Sequence, residues 1–415
     1  MVVGIIGLGY VGLPLAVAFA EAGHDVVGLD SDARVVEGLR RGESTVEDVP
    51  AERLTAISDR IRPTADVAEL SSCDAVVICV PTPLANHREP DLTYMLDAAT
   101  SLSAVLRKGQ LVVLESTTYP GTTRERLKPI LEESGMAAGR DFHLAYSPER
   151  IDPGRTDHTI RTTPKVVGGL TDACRDRAAE LYSEICDEIV PVSTPEAAEL
   201  SKLLENIFRS VNIALVNELA MLCDRMGIDV WEVIDAAGTK PFGFMRFEPG
   251  PGMGGHCLPV DPFYLAFKAR EHDFYTEFIE LAGKVNQNQP QFCVRKIERT
   301  LNEVERPVKG SRILLLGVAY KAGVGDMRES PALKIIRSLD ELGAEISYHD
   351  PHVPELPELG KASADLDEEL ARADLVCVIT AHPEVDYRRV VSAAELVLDF
   401  RGVTRGIEAA NLVRL

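Results

Sequence analysis

The chain has 415 residues, of which 45% are hydrophobic and 26% are charged, which is long enough for two or three domains with separate cores. A formal net charge of −21 argues against nucleic-acid binding, because an acidic surface repels phosphates and no basic run is present. There is no apolar run of about 18 residues and no basic amino-terminal region, so we expect a cytoplasmic protein with no membrane span and no signal peptide.

The first part of the chain alternates short β-rich runs with amphipathic segments, which predicts a parallel sheet covered on both faces. The predicted strands are Val2–Gly7, Asp25–Leu29, Ala75–Val80, Leu111–Leu114, His143–Tyr146, Lys165–Gly168 and Ile189–Val192. The predicted helices between them are Gly12–Ala22, Tyr94–Leu106 and Thr122–Ser134. We expect this first domain to cover residues 1–193.

A helical pattern begins after Pro195 and runs over residues 196–226, longer than an ordinary helix, which favours a helix that bridges domains or packs against a second subunit. Alternation of strands and helices resumes at Arg312. The predicted fold class is α/β: two Rossmann-like, doubly wound parallel-sheet domains, 1–193 and 306–415, joined by a helical middle domain, 194–305, with a long central helix.

A glycine-rich turn follows the first predicted strand and precedes a helix, at Gly7-x-Gly9-x-x-Gly12. Glycines there permit a tight turn and a close approach of the backbone to a pyrophosphate at the helix N-terminus. Asp30 ends the second strand, where a carboxylate can accept hydrogen bonds from both ribose hydroxyls and repels the 2′-phosphate of NADP. The pattern therefore predicts NAD as cofactor.

Two further polar groupings are candidates for a site. Glu199, Lys202 and Asn206 have spacings that place them on one face of the long helix, where the lysine and asparagine could stabilise an oxyanion; a solvated polar stripe is the alternative. Glu149 and Arg150 follow a strand at the carboxyl edge of the sheet, where ligands of α/β sheets bind; a surface salt bridge is the alternative.

Cys257 differs from the other seven cysteines because glycines and polar groups surround it. Gly254 would let the backbone approach a ligand, and Asp261 and Lys202 could tune the thiol. Cys257 could equally be a small core residue. A nucleophilic thiol beside a nicotinamide site would carry an alcohol past the aldehyde to a carboxylate through a thioester. No Cys-x-x-Cys pair is present, so we expect no metal.

Taken together, these motifs resemble those of the nucleotide-sugar 6-dehydrogenases of the UDP-glucose/GDP-mannose dehydrogenase family, over nearly the whole chain. The resemblance is carried by Gly7–Gly12, Val80-Pro81-Thr82-Pro83, Glu115-Ser116-Thr117-Thr118, Ser147-Pro148-Glu149-Arg150, Lys202–Asn206, the Cys257 loop and Asp326–Pro331. It implies four-electron oxidation of the C6 hydroxyl of a UDP-sugar, with two NAD consumed, in a homodimer or higher homo-oligomer.

Within that family the chain is most similar to bacterial UDP-N-acetylglucosamine 6-dehydrogenases of surface-polysaccharide pathways. The marks of that similarity are Arg88-Glu89-Pro90-Asp91, Leu114–Thr123 and Thr239–Phe244. UDP-glucose dehydrogenases carry Pro-Glu-Phe-Leu and a second glutamate where this chain has Pro148–Ile151 and Pro153. This departure argues against UDP-glucose and removes one cofactor contact of the family.

The resemblance also implies roles for individual residues. Cys257 would form the thiohemiacetal and thioester, Glu149 would activate water, and the remaining catalytic groups would be Lys202, Asn206, Asp261 and Thr117. The implied cofactor contacts are Gly7, Gly9, Tyr10, Val11, Gly12, Asp30, Arg34, Thr82, Thr117 and Arg328. The implied substrate contacts are Glu149, Arg150, Lys202, Asn206, Arg246, Gly254, Lys321 and Arg401.

Several alternatives remain open at this point. Lys240 and Arg246 both lie near the expected place of an arginine that reaches across a subunit interface. UDP-glucose and UDP-N-acetylmannosamine are alternative substrates. A two-electron hydroxyacid dehydrogenase shares a Rossmann domain followed by a helical one, but it would need neither Cys257 nor the second α/β domain. A nucleotide-binding regulator without activity is the remaining alternative.

Overall fold

The computed structural model describes residues 1–44, 46, 49–85, 89–151, 158–255 and 260–415. Two sheets, the first parallel except for one pair of strands and the second parallel throughout, with helices among their strands and a helical segment between them, confirm the predicted α/β class with a helical middle. The chain divides into two compact units, one of Met1–Glu205 with Phe263–Tyr275, and one of Asn206–Pro262 with Thr276–Leu415. The division into three domains inferred from the sequence stays a prediction.

The first unit is built on a sheet that has eight strands within the described residues, in the order β3-β2-β1-β4-β5-β6-β7-β8. The strands are β1 Val2–Ile6, β2 Asp25–Leu29, β3 Ile61–Thr64, β4 Ala75–Ile78, β5 Leu111–Leu114, β6 His143–Tyr146, β7 Lys165–Gly169 and β8 Ile189–Val192. All neighbouring strands are parallel except β6 and β7, which pair antiparallel. The helices are α1 Gly12–Glu21, α2 Ala33–Arg40, α3 Ala51–Ala56, α4 Thr93–Ser103, α5 Lys128–Glu132 and α6 Asp172–Ser183.

The strand order reverses between β1 and β4, which makes this point the place where open α/β sheets bind their ligands. The central strands are short and almost wholly apolar because both faces are covered; β4 and β5 are buried at every position. Val3, Ile5, Val77 and Val113 belong to this core. The residues that follow β1 and β4 are therefore attached to buried strands of the sheet core.

The helical middle begins with a helix of 32 residues. Its helices are α7 Pro195–Met226, α8 Val230–Gly238, α9 Asp261–Arg270 and α10 Glu277–Glu303. The predicted helix over 196–226 agrees with α7 to within one residue at its start. Nowhere in the described ranges is a helix both long and apolar enough to cross a membrane.

The second sheet is parallel throughout, in the order β10-β9-β13-β14-β15, and its order reverses between β9 and β13. Its strands are β9 Arg312–Leu316, β10 Glu345–His349, β13 Leu375–Val378, β14 Val397–Asp399 and β15 Leu412–Arg414, while β11 Glu355–Leu356 and β12 Lys361–Ala362 form a separate antiparallel pair. The helices between these strands are α11 Pro331–Glu341, α12 Leu366–Leu370 and α13 Tyr387–Ala393.

Candidate functional site

The glycine-rich turn after β1 has the geometry of a dinucleotide site. The N–H of Gly7 donates to the carbonyl oxygen of Leu29, 2.8 Å away, which ties the turn to the end of β2. A Cβ at Gly12 would lie 1.8 Å from the carbonyl oxygen of Gly7, so only glycine fits there. A Cβ at Gly9 would meet nothing within 4 Å, so space is open beside the turn. Backbone N–H groups at the start of α1 are thus accessible to a pyrophosphate.

Asp30 lies directly after β2 and faces this turn. Its Oδ2 accepts the N–H of Leu8 at 2.8 Å, and its Oδ1 accepts the N–H of Asp32 at 2.9 Å. These bonds fix the carboxylate, and each oxygen keeps a lone pair for a ribose hydroxyl. The turn and the carboxylate together fit the adenosine half of NAD.

The other residues implied as cofactor contacts lie in different places. Tyr10 is exposed and Val11 is half-buried beside the turn. The guanidinium of Arg34 is exposed and forms an ion pair with Asp32, with Nη2 and Oδ2 2.7 Å apart. Thr82 follows β4 and donates its hydroxyl to the carbonyl oxygen of Thr117 at 2.7 Å, so both lie at the carboxyl edge of the first sheet. Arg328 belongs to the second unit.

We expect the carboxylate of Asp30 to set the choice of cofactor. Its charge should disfavour the 2′-phosphate of NADP by on the order of one to a few kcal/mol, so NAD should be clearly preferred. Asp30→Ala should narrow that preference, and Asp25→Asn, which changes an exposed acid at the opposite end of β2, should leave it unchanged. The measurement is the ratio of kcat/KM for NAD and NADP. Equal use of both cofactors by the unchanged protein would contradict the role of Asp30.

Glu149 lies just beyond β6 and is held by both of its oxygens. Oε1 accepts the N–H groups of Arg150 and Ile151 at 2.8 and 2.5 Å, and Oε2 lies 3.7 Å from Nζ of Lys165. Burial alone would raise the pKa of Glu149, but the ammonium of Lys165 and the hydrogen bond from Ile151 lower it below its usual value. Glu149 is therefore a carboxylate that stays ionised at neutral pH.

Lys165 has a second carboxylate on its other side. Its Nζ forms a buried ion pair with Oε1 of Glu115, and the hydroxyl of Tyr182 donates to Oε2 of Glu115 at 2.5 Å. Burial raises the pKa of Glu115 to about 7, although Lys165 acts in the opposite direction. Lys165 and Tyr182 were not predicted as site residues, because a lysine at a strand start and a tyrosine in a helix carry no motif of their own.

Lys202 lies in the part of α7 that belongs to the first unit and is only 8% exposed. Among the described residues, no acid lies within ion-pair distance of its ammonium, although its charge contributes to the lowered pKa of Glu149. A buried ammonium without an ion pair is costly and uncommon. Lys202 is thus available to an anionic group of a ligand.

Glu199 and Arg150 have structural partners. The buried carboxylate of Glu199 accepts the N–H of Gly121 at 2.6 Å and the N–H and hydroxyl of Thr123 at 2.8 and 2.6 Å. Arg150 forms an ion pair with Glu205, with Nη2 and Oε1 2.9 Å apart. Glu199 therefore joins α7 to the loop after β5, and Arg150 joins α7 to the loop after β6.

In the second unit, two of the predicted catalytic residues meet. The side-chain amide of Asn206 donates to Oδ2 of Asp261, and Asp261 is almost completely buried at the start of α9. The bond fixes the orientation of the Asn206 amide. Cys257 and Pro153 lie outside the described residues.

The glycine-rich loop before Cys257 is held by buried amides. Asn217 Oδ1 accepts the N–H of Gly250 at 3.0 Å, and Gln289 donates to the carbonyl oxygen of Gly250 at 3.1 Å. A Cβ at Gly250 would lie 2.2 Å from Nη1 of Arg401, so glycine is required for this close approach. Asn217 and Gln289 were also missed, because single amides in long helices resemble solvated positions.

The same loop continues along the segment after β9. A Cβ at Gly254 would lie 2.8 Å from Cβ of Tyr320 and 3.0 Å from the carbonyl oxygen of Glu329, so Gly254 packs directly against that segment. The N–H of Gly255 donates to the carbonyl oxygen of Arg328 at 3.0 Å. Lys321, next to Tyr320, is half-buried. The second unit therefore brings together the predicted substrate contacts Gly254, Lys321 and Arg401 around one loop and one sheet edge.

The second sheet repeats the turn of the first. The N–H of Gly317 donates to the carbonyl oxygen of His349 at 2.9 Å, and the N–H of Val318 donates to Oδ2 of Asp350 at 2.7 Å. Burial would raise the pKa of Asp350, but the hydrogen bond from His382 and backbone donors lower it to about 2. Asp350 is saturated by protein donors, so it stabilises its own turn and, unlike Asp30, is not open to a ribose.

His382 lies close to His352 and Glu384, a combination that can bind metals. However, Gly323 donates its N–H to Nδ1 of His382 at 3.2 Å, so Nε2 carries the proton and donates to Asp350 at 3.1 Å. In this tautomer neither nitrogen of His382 offers a free lone pair to a metal ion.

The two candidates for the cross-subunit cation have different surroundings. Arg246 forms ion pairs with Asp235 and Glu248, at 2.7 and 3.2 Å. The ammonium of Lys240 lies 5.0 Å from the ring centre of Phe242, which is largely exposed. Arg246 would have to leave two carboxylates to reach a ligand, whereas Lys240 would leave one exposed ring.

The sequence matches three family profiles in succession. The UDP-glucose/GDP-mannose dehydrogenase family NAD binding domain matches residues 1–186, the central domain of the same family matches residues 196–288, and its UDP binding domain matches residues 314–406. The three matches cover most of the chain in the order predicted from the motifs.

Individual relatives agree with the profiles. The chain is 39% identical to the UDP-N-acetyl-D-glucosamine 6-dehydrogenase of Pseudomonas aeruginosa over 357 residues, 85% of this chain and 83% of that one. It is 33% identical to the UDP-N-acetyl-D-mannosamine dehydrogenase of Pyrococcus horikoshii over 428 residues, 98% of this chain and 100% of that one. A solved structure of the UDP-D-ManNAc dehydrogenase from Pyrococcus horikoshii superposes with a TM-score of 0.92 at 32% identity, covering 100% of this chain and 99% of that one.

Proposed function

Since the chain belongs to the UDP-glucose/GDP-mannose dehydrogenase family and is an NAD-dependent nucleotide-sugar dehydrogenase, we propose that it oxidises the C6 hydroxyl of UDP-N-acetylglucosamine to the carboxylate. NAD is its cofactor, and the turn at Gly7 to Gly12 with Asp30 fits the adenosine half of that molecule. The product would be a UDP-linked uronate for surface polysaccharide, made in the cytoplasm.

The observation that best supports oxidation beyond the aldehyde is that an ionised Glu149 lies within the electrostatic influence of Lys202. Glu149 is a carboxylate kept ionised beside buried positive charge, and Lys202 is a buried ammonium with no ion pair in the described part of the chain. An ionised carboxylate can take a proton from water, and an ammonium can stabilise an oxyanion. Removal of two electrons from an alcohol needs no hydrolytic base, whereas release of an acid from a thioester does.

The proposed sequence of steps starts at C6 of the sugar. When bound, NAD would supply the acceptor for each of the two hydrides that leave C6, one NAD for each oxidation. Lys202 and Asn206 stabilise the C6 alkoxide, while Asp261 and Thr117 order water and the departing proton. The thiol of Cys257 adds to the resulting aldehyde to give a thiohemiacetal, which loses a second hydride to become a thioester. Glu149 then removes a proton from water, the water oxygen bonds to C6, and the thiolate of Cys257 leaves.

The nucleotide part of the substrate requires local positive charge, because the protein carries a net charge of −21. We assign this role to Lys321 and Arg401, both in the unit that contains the family's UDP binding domain. Arg401 is fixed against Gly250, and its backbone N–H donates to Oδ1 of Asp399 at 2.7 Å. Gly254 would lie against the sugar, and Arg150 and Arg246 are the further substrate contacts implied by the family motifs.

The choice of sugar rests on sequence similarity. The greater identity to the Pseudomonas aeruginosa enzyme favours UDP-N-acetylglucosamine, whereas the superposition over 100% of the chain favours UDP-N-acetylmannosamine as the second candidate. UDP-glucose is the third candidate, because the chain lacks the Phe-Leu pair and the second glutamate of that subfamily.

A panel of UDP-sugars with NAD tests this choice. We expect kcat/KM for UDP-N-acetylglucosamine to exceed that for UDP-glucose by at least about a hundredfold, since a site that hydrogen-bonds an acetamido group leaves buried polar groups unpaired with a hydroxyl. A preference for UDP-N-acetylmannosamine would change the assigned substrate but not the proposed chemistry. Turnover of none of the sugars would contradict the proposed function itself.

We also propose that the protein forms a homodimer or a higher homo-oligomer. In the second unit, α7 exposes large apolar side chains at Phe208, Leu215, Leu222 and Met226, at spacings of seven, seven and four residues. These spacings place them on one face, and Leu215 is 63% exposed. A second copy could cover the stripe with the same residues, because a two-fold interface is self-complementary. Sedimentation should give the mass of at least two chains.

A further inference from the structure

The ion-pair cluster behind Glu149, formed by Lys165, Glu115 and Tyr182, has no role in the proposed reaction steps. Lys165, Glu115 and Tyr182 come from β7, the end of β5 and α6, and Lys165 is the member that also faces Glu149. We propose that Lys165 is a positioning residue for the hydrolytic half of the reaction: anchored from behind by Glu115 and Tyr182, its ammonium keeps Glu149 ionised and aimed for proton removal from water. This inference rests on the proposed hydrolytic role of Glu149.

Glu115 and Glu149 differ in solvent exposure and in hydrogen bonding, and these differences indicate different functions. The Glu115 side chain is wholly buried and the Lys165 side chain is 7% exposed, whereas the Glu149 side chain is 15% exposed and so retains access to water. Glu115 has both oxygens occupied, one by Lys165 and one by Tyr182. Glu149 Oε1 is fixed by two backbone N–H groups, which leaves Oε2 as the oxygen that can accept a proton. Lys165 lies 3.7 Å from that oxygen.

Glu115 and Glu149 also differ in their protonation. Because the pKa of Glu115 is raised to about 7, this acid is largely protonated at mildly acidic pH, and the charge of Lys165 is then balanced mainly by Glu149. Burial would lower the pKa of Lys165, but the two carboxylates raise it, so the ammonium persists. Tyr182 is held in its neutral form by burial. The positive charge at Glu149 is therefore permanent over the working pH range.

Other titratable groups face the cluster and must be accounted for. Lys202 from α7 adds positive charge near Glu149. The thiols of Cys79 after β4 and Cys186 after α6 have pKa values raised by burial and stay neutral, with Cys186 at about 11. Removing Lys165 leaves the charges of Lys202 and Arg150 in place, with Arg150 paired to Glu205, so any shift that follows measures the part of the field that Lys165 supplies.

The test follows the protonation of Glu149 directly and through activity. Lys165→Gln keeps a hydrogen-bonding partner for Glu115 but removes the charge, and Lys165→Met combined with Glu115→Gln removes both charges. The pH at which Glu149 protonates is read from the infrared carbonyl band of the protonated acid, as the difference from the same protein with Glu149→Gln. The pH dependence of uronate release in a single turnover gives the second reading.

Both variants should shift the protonation of Glu149 upward by at least about one pH unit, because an opposite charge at this distance lowers a carboxyl pKa by about one to three units. A group with a raised pKa is active only above that pKa, so uronate release should fail at mildly acidic pH and recover at alkaline pH. Glu115→Gln alone retains Lys165 but changes the direct contact of Glu115 with Glu149, so it should shift the protonation of Glu149 by less than either Lys165 variant does. Lys108→Met, at a lysine whose side chain is 80% exposed, should change nothing.

Several results would overturn the inference. An unshifted infrared band would do so, and so would a loss of activity that is equal at all pH values. A loss of thermal stabilisation by NAD in both Lys165 variants would make Lys165 a residue needed only for folding. The infrared reading does not depend on turnover. A protein that oxidises no UDP-sugar but shows the shift would therefore contradict the proposed function and not the role of Lys165.

Discussion

Cys257→Ser should lower turnover by at least about a thousandfold while leaving the binding of NAD and UDP-sugar intact. Serine is a much weaker nucleophile than a thiolate at neutral pH, and an alkoxide is a poor leaving group in the hydrolytic step, so the reaction should stop after the first oxidation. Steady-state formation of NADH measures turnover, and thermal stabilisation by each ligand measures binding.

Cys174→Ser is the matched control. Cys174 is buried at the start of α6, where its sulfur lies 3.4 Å from the N–H of Leu144 and 3.2 Å from the hydroxyl of Thr171. A serine hydroxyl can replace both contacts, so turnover should stay close to that of the unchanged enzyme. If Cys257→Ser also retained near-normal turnover, Cys257 would be a structural residue and an ordinary two-electron dehydrogenase would be the better interpretation.

Glu149→Gln should have a different effect, because it spares the attack by sulfur and hinders the hydrolysis. The amide oxygen of glutamine can still accept the N–H groups of Arg150 and Ile151, and Lys165 keeps Glu115 as its counter-ion, so the fold should be retained. Turnover should fall by about 10²–10⁴-fold, the usual contribution of a general base. The uronyl thioester should accumulate as a mass increase on the peptide that contains Cys257.

Glu196→Gln changes an acid on the first turn of α7 that pairs with Arg124. It should neither slow turnover nor produce the adduct. Slow turnover of Glu149→Gln without any adduct would place Glu149 before the thioester and contradict its assignment as the hydrolytic base.

The features predicted correctly from the sequence are those whose conformation is determined by one short segment of the chain. Gly12 is required because a Cβ there would meet the carbonyl oxygen of Gly7 within the same turn, and Asp30 directly follows a strand of regular apolar pattern. The long helix α7 was predicted from its periodicity alone. Local rules were sufficient in these cases, because the residues that determine the conformation are neighbours in the chain.

Two of the strands that were not predicted, β3 and β15, lie at the edges of the two larger sheets. The sequence of β3 is Ile61-Arg62-Pro63-Thr64, which contains a charge and a proline, and β15 has only three residues. An edge strand hydrogen-bonds on one side only, so it tolerates proline and polar residues that argue against a strand in the sheet interior. Composition therefore could not identify either one.

The cluster behind Glu149 was missed for a different reason. Glu115 and Lys165 are 50 residues apart, and Glu115 and Tyr182 are 67 apart, so no spacing rule connects them. They meet because β5, β6 and β7 are neighbours in the sheet, and the antiparallel pairing of β6 with β7 was not predicted. Long-range pairing of this kind is determined by topology and cannot be inferred from local patterns.

Four-electron oxidation through Cys257 can be tested by counting the NADH formed for each molecule of sugar oxidised. A limiting amount of UDP-N-acetylglucosamine, or of whichever UDP-sugar proves to be the substrate, is oxidised to completion with excess NAD, and the absorbance at 340 nm is compared with the uronate formed. We expect two NADH for each uronate and no free aldehyde. One NADH for each product, with aldehyde accumulating, would contradict it.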